Sequence, residues 1–231
     1  MTPAALFVLC AAVRAHEDGL FRLLYNQLVH RGETKAGLDG RPIVVVPASA
    51  KARAFADCTS LVAVVFSPGL KTIGNHAFSG CTSLVDIALP DSLRAIKFEA
   101  FERCTSLVAV ALNPGLKTIG RGAFRDCTSL VDITLPALKT IKVGSFHGCT
   151  SLASVTLNPG LKSIEWDAFA GCTSLVSVTF NPDLEEIADY AFDGCTSLVD
   201  VGLPPIKELS QFAFANCTSL AVKQIKRRRV D

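Results

Sequence analysis

From residue 55 onward, one pattern of apolar and polar positions recurs to the end of the chain. The string Cys-Thr-Ser-Leu occurs eight times, beginning at Cys58, Cys81, Cys104, Cys127, Cys149, Cys172, Cys195 and Cys217, at intervals of 23, 23, 23, 22, 23, 23 and 22 residues. A Phe stands three residues before each Cys, from Phe55 to Phe214. A fixed period of this length signals a stacked-repeat architecture, in which no unit closes a core alone.

Residues 104–126 show how one unit is built. Leu107, Val110 and Leu112 follow the spacing of a strand whose side chains enter the coil, while Val108, Ala109 and Ala111 face outward or sideways. Asn113-Pro114-Gly115 is turn chemistry: Pro presets φ and Gly accepts a positive one. Leu116 and Ile119 form a second, shorter apolar segment, Gly120 ends it, and Ala123-Phe124 delivers an aromatic to the core in a tight helical or 3-10 turn. The two 22-residue units keep only Pro136-Ala137 or Pro204-Pro205 where the full unit has Asn-Pro-Gly. A deletion confined to a turn is one that a solenoid tolerates.

The recurring Ala-Phe, Cys, Ser-Leu, alternating strand, Leu-Pro and Leu-x-x-Ile resemble the BspA-like class of leucine-rich repeats, as Phe169 to Ile187 shows well. The resemblance covers roughly residues 41–225. It implies a right-handed α/β-type repeat solenoid, mainly parallel β-sheet, with short strands or 3-10 turns on the convex face. In that family the fold usually serves binding, often at cell surfaces, and no catalytic residues come with it.

The ends depart from the pattern. Ile43 to Pro47 reads as the strand of a degenerate first coil, and Lys223 falls where earlier units have Val or Ile, so the ladder is expected to fail there. Residues 4–30 carry Leu6, Leu9, Val13, Leu20, Leu24 and Leu28 at helix-like intervals, which predicts a helical cap over the open core. The expected organisation is a cap and linker over 1–40, a solenoid over 41–225 and a basic tail over 226–231.

Composition narrows the function. With 49% hydrophobic and 19% charged residues, the 231-residue chain is not disordered. No stretch offers the roughly 18 apolar residues of a membrane span. The net charge of +2 divides into +3 over 1–53, −5 over 54–222 and +4 over 223–231. An acidic body with basic ends argues against a nucleic-acid partner. The tail Lys226-Arg227-Arg228-Arg229 reads as a solvated terminus, with nuclear import or phosphate attraction as alternatives.

The cysteines admit disulfides, metal or packing. No Cys-x-x-Cys occurs, which argues against zinc. Neighbouring coils lie about 4.8 Å apart, yet in-register side chains run side by side rather than at one another. A reduced, buried ladder is the expectation, with Cys10 outside it. Free thiols favour a cytoplasmic location; secretion or cell-surface display is the alternative, since Ala4 to Val13 is apolar and Val13-Arg14-Ala15 could pass as a cleavage site.

Candidate binding residues lie on two surfaces. The sheet face exposes Asp86, Asp132, Ser154, Thr156, Ser177, Thr179 and Asp200 among small residues, a surface that a partner's backbone could approach. Trp166 and Tyr190, beside Glu165, Asp167, Glu185 and Glu186, form a candidate amphipathic anchor on the convex side. There, Lys71, Arg94, Lys117, Lys139 and Lys162 occupy equivalent positions before Glu185 breaks the row and Lys207 restores it. His16, His30, His76 and His147 pair with no Cys or Ser at a privileged position, and no phosphate loop or metal constellation is visible. The expectation is a non-catalytic module without cofactor or metal, binding a protein partner, with a structural or adhesive surface protein as the alternative. Oligomeric state stays open, a monomer included.

Overall fold

The computed structural model describes residues 35–36, 42–46 and 51–220. The predicted cap over 4–30, Cys10, Lys223 and the basic tail lie outside the described residues. Among those described there is no helix.

Each coil carries a first strand of three to five residues and a second of two. The first strands are β2 (Pro42–Val46), β3 (Ala63–Phe66), β5 (Asp86–Ala88), β7 (Ala109–Ala111), β9 (Asp132–Thr134), β11 (Ser154–Thr156), β13 (Ser177–Thr179) and β15 (Asp200–Gly202). The second strands are β4 (Thr72–Ile73), β6 (Ala95–Ile96), β8 (Thr118–Ile119), β10 (Thr140–Ile141), β12 (Ser163–Ile164), β14 (Glu186–Ile187) and β16 (Glu208–Leu209). Strands of each kind stack in parallel, so that Val64 lies against Ile87, Ile87 against Val110, and Val155 against Val178. The result is a parallel β-solenoid with a front sheet of first strands and a back sheet of second strands. The expected first-coil strand is present: β2 pairs in register with β3 from Ile43↔Ala63 to Val46↔Phe66. Within the stretch expected as linker, Lys35–Ala36 forms a short strand, β1, antiparallel to β2. It covers an edge that would otherwise present unpaired backbone groups.

The corner after each second strand is a chain of turns. Bonds spanning three residues repeat through it, as in Glu102 N–H to Glu99 O (3.3 Å), Cys104 N–H to Phe101 O (3.2 Å) and Leu107 N–H to Cys104 O (3.0 Å). Continued, these would make the 3-10 helix that the sequence allows. Two left-handed residues per turn prevent it: φ is +49° at Glu99 and +58° at Arg103, and equivalent positions repeat this from Arg53 and Asp57 to Tyr190 and Gly194. The reversal aims alternate N–H groups at the next coil. Phe101 N–H reaches Ala123 O at 2.8 Å, and Arg103 N–H reaches Arg125 O at 2.7 Å. The backbone of the turns is thereby satisfied between coils.

The core follows from this stacking. Leu, Ile or Val from both strands, the Cys and the Phe of each unit are buried, except that Leu209 and Cys217 of the last described unit are partly exposed. Phe55, Phe78, Phe101, Phe124, Phe146, Phe169, Phe192 and Phe214 form one column, with successive ring centroids 4.9–5.6 Å apart and planes within 12° of parallel. Asn113, Asn158 and Asn181 are buried at the opposite turns. Each donates from Nδ2 to a carbonyl of the preceding coil, at Pro90, Leu138 and Leu161 respectively.

Both sheets are interrupted at one level. Among the described residues no strand pairing joins β7 to β9 or β8 to β10. The interruption coincides with the coil shortened at Pro136-Ala137. The turn stack runs through it: Gly122, Phe124 and Asp126 donate to Val143, Ser145 and His147 at 2.7–3.0 Å.

Candidate functional site

The thiol ladder is structural chemistry rather than a site. The described ladder cysteines are thiols, and all but Cys217 are buried. From Cys81 onward each Sγ donates to the Phe carbonyl one coil back, at 3.0–3.2 Å. That carbonyl also accepts the N–H of its own coil's Cys. Burial pushes Cys104 and Cys172 up to about 12, and raises Cys81, Cys127 and Cys149 as well. Such thiols are poor nucleophiles and poor metal ligands.

The front sheet brings together Asp86, Asp132, Ser154, Thr156, Ser177, Thr179 and Asp200, all exposed on one face. Asp86 pairs with Ala63 and Ala109, Asp132 with Ser154, and Asp200 with Ser177. No described Asp pairs with another across neighbouring strands, an arrangement that would be repulsive. Beside this face runs a feature that the residue-by-residue reading did not single out. Val85, Val108, Val131, Val176 and Val199, with Ala153 between, form an exposed column, and the valines are 37–48% exposed. Backbone bonds link them from coil to coil, from Val85 N–H to Val62 O (3.1 Å) to Val199 N–H to Val176 O (3.0 Å). The signal was present: the residue after each Leu of Cys-Thr-Ser-Leu is Val in six of the eight units.

Trp166 and Tyr190 sit at different offsets from the core Phe of their coils. Trp166 lies three residues before its Phe, 47% exposed, whereas Tyr190 lies two before and is half-buried. Tyr190 stacks on Phe212 with centroids 5.5 Å apart. Two of the acidic neighbours are also engaged elsewhere. Glu165 Oε2 accepts the Val143 N–H at 3.0 Å, and Glu185 binds Lys162 (3.0 Å) and Lys207 (2.6 Å). Glu185 therefore closes the lysine row rather than breaking it. Hydrogen bonds from Lys207 and Lys162 hold its carboxyl at about 2.

Trp166 instead walls a depression of about 230 Å³ at the turn corner. Phe98 stands at the other wall, with Arg121, Val143, Glu99, Arg125 and Asp167 around the rim. Gly122 and Gly144 form the floor, because two successive coils place glycine (φ +61° and +57°) where others carry Arg53, His76, Glu99, Asp167 or Tyr190. At the same corner the stacking assembles a cluster that linear spacing concealed. His76, Glu99 and Glu102 each offer a ligand atom, all within 4.8 Å of one another. They come from two coils, 23 or more residues apart in the chain.

Comparisons agree with the geometry. The family model described as the BspA type leucine rich repeat region matches residues 48–152 and 134–228, in six copies. A crystal structure of a leucine rich repeat protein from T. pallidum is 32% identical, with a TM-score of 0.53, covering 85% of this chain and 81% of that one. A leucine-rich repeat protein from Eubacterium ventriosum shares the fold at a TM-score of 0.63 and 21% identity, covering 76% of this chain and 59% of that one. This chain thus spans less than two thirds of the length of the Eubacterium structure. A comparison with curated protein sequences found no match. No helix among the described residues is long and apolar enough to cross a membrane. In repeat, strand stacking and family match alike, the chain belongs to the BspA-type leucine-rich-repeat family.

Proposed function

We propose that this chain is a non-catalytic interaction module whose front sheet binds an extended segment of a protein partner. The observation that carries this reading is the column of exposed valines, interrupted once by Ala153, beside columns of small polar residues. Exposed apolar surface of this regularity is costly to leave in water and marks interaction sites. The neighbouring Ala, Ser and Thr let a partner's backbone approach closely, while Asp86, Asp132 and Asp200 favour a partner with basic residues at matching intervals. A photo-crosslinking residue at Thr156, on the front sheet, is expected to trap that partner; the same residue at the exposed Thr118 of the back sheet is not. Equal trapping at both positions would remove the front sheet from the reading.

The cell-surface reading of the same module stands beside the cytoplasmic one, for a specific reason. The cytoplasmic placement draws on free thiols, and burial takes most of that argument away. Thiols sealed from solvent and pushed to about 12 resist oxidation in either compartment. Fractionation of cells producing the full chain, with protease shaving of intact cells, separates the two.

A further inference from the structure

The repeat is nearly perfect, so chemistry specific to this chain belongs where the repeat is broken. The two positions flanking each core Phe, two before and one after, run Arg53/Ala56, His76/Ser79, Glu99/Glu102, Gly122/Arg125, Gly144/His147, Asp167/Ala170 and Tyr190/Asp193. An imidazole stacked against two carboxylates of the next coil occurs once in this series.

Three candidate ligand atoms from two coils meet there, two of them already in contact as an ion pair. His76 Nδ1 lies 3.2 Å from Glu99 Oε2. Two ligands of a tetrahedral zinc ion, each about 2.0–2.1 Å from the metal, stand roughly 3.3 Å apart, so this pair already spans one edge of the tetrahedron. A Glu102 oxygen lies within 4.8 Å of both and needs only a side-chain adjustment to close a face. The surroundings orient the ligands. The His76 ring packs edge-on against Phe98, with centroids 5.0 Å apart, and Ser79 Oγ donates to Glu102 Oε2 at 3.2 Å. Both contacts act as outer-shell supports of the kind that fix ligand rotamers.

The protein's own charges leave this cluster short of cation. His76, when protonated, neutralises one of the two carboxylates. Arg125, on the next coil, also pairs with Asp126 (3.9 Å). All three side chains are partly exposed, and Glu99 also lines the aromatic depression.

We propose that His76, Glu99 and Glu102 bind a divalent transition-metal ion, zinc by donor type and geometry, which staples two adjacent coils at this corner. Imidazole with carboxylate suits zinc better than magnesium or calcium, which take mostly oxygen. The site is independent of the front sheet, and its test does not require the partner.

Zinc titrated calorimetrically into the full chain is expected to bind one equivalent saturably. His76→Asn and Glu102→Gln should each weaken that binding at least tenfold. Asn accepts the left-handed backbone of position 76, and matching circular dichroism melts without metal would establish that both variants fold. Cobalt(II) in place of zinc is expected to give visible ligand-field bands without a thiolate charge-transfer band. Absence of saturable zinc binding would overturn the proposal. So would binding unchanged in both folded variants, or a thiolate band, since each places the metal on other ligands such as Cys217 or the histidines before residue 35.

Discussion

The Cys127 thiol donates to the Phe101 carbonyl of the preceding coil, 3.2 Å away. The same oxygen accepts the Cys104 N–H at 3.2 Å. One carbonyl thus serves two coils, and the recurring Cys is explained by a small side chain that is both apolar enough to bury and able to donate. Cys127→Ala is expected to cost about 1 kcal/mol from the lost hydrogen bond, plus a smaller packing loss. Denaturant unfolding monitored by circular dichroism checks this; an unchanged midpoint would mean that the thiol contributes only volume.

Native-state alkylation should follow burial. Cys217, half-exposed at the end of the described stack, is expected to react first, and Cys81 to Cys195 only on unfolding. Mass spectrometry of chains labelled with and without denaturant reads the order directly. Rapid labelling of Cys127 or Cys149 in the native chain would contradict the sealed core.

The thiols also set a pH limit. Cys104 and Cys172 move from an ordinary 9.0 to about 12 on folding. The unfolded chain therefore releases protons first as pH rises, and the stability these groups contribute is complete below pH 9 and lost between 9 and 12. Melting temperature should fall through that window. The fall should be shallower in a Cys104→Ala/Cys172→Ala variant, which isolates the contribution of these thiols. Parallel curves for the two proteins would refute the assignment.

The Phe column predicts a position effect. Phe124 is fully buried between Phe101 and Phe146, whereas Phe214 stacks on Phe192 alone among the described rings. Phe124→Ala is expected to cost about 3–5 kcal/mol, the usual range for a buried Phe, and Phe214→Ala clearly less. Equal losses would show that the stack does not act as a column.

Glu185 is predicted to titrate near 2 because Lys162 and Lys207 hold its carboxylate from two sides. Stability from this group is present above its ordinary 4.5 and is lost as pH falls toward 2. The three side chains are exposed, so salt should weaken the effect. Carboxyl chemical shifts measured against pH, at low and high salt, test it; a titration at 4.5 in low salt would dissolve the triad.

Most of the fold was legible because a repeat reports each buried position many times. The alternation at Leu107, Val110 and Leu112 placed the front strands, and Phe124 placed the core aromatic. What was not legible depends on which residues become neighbours one coil away. Glu185 read as a break between Lys162 and Lys207, whereas stacking lets both amines bind its carboxylate. His76 and Glu102 are 26 residues apart in the chain and share a corner only after stacking. Trp166 and Tyr190 looked equivalent, yet a one-residue difference in offset sends one to the rim of a depression and the other onto Phe212. The expected tight turn forms through bonds spanning three residues, but its left-handed positions are signalled by type only where Gly80, Gly148, Gly171 and Gly194 stand, not at Glu99 or Arg103.

The front sheet as binding surface is the central claim, and partner affinity measured on folded variants tests it most directly. Lysine at Asp86, Asp132 and Asp200 together, or Ser at Val108, Val131 and Val176 together, should each weaken capture of the crosslinked partner by at least tenfold, while Trp166→Ala leaves it unchanged. Unaltered affinity in both front-sheet variants, with loss on Trp166→Ala, would contradict the claim and move the binding surface to the turn corner.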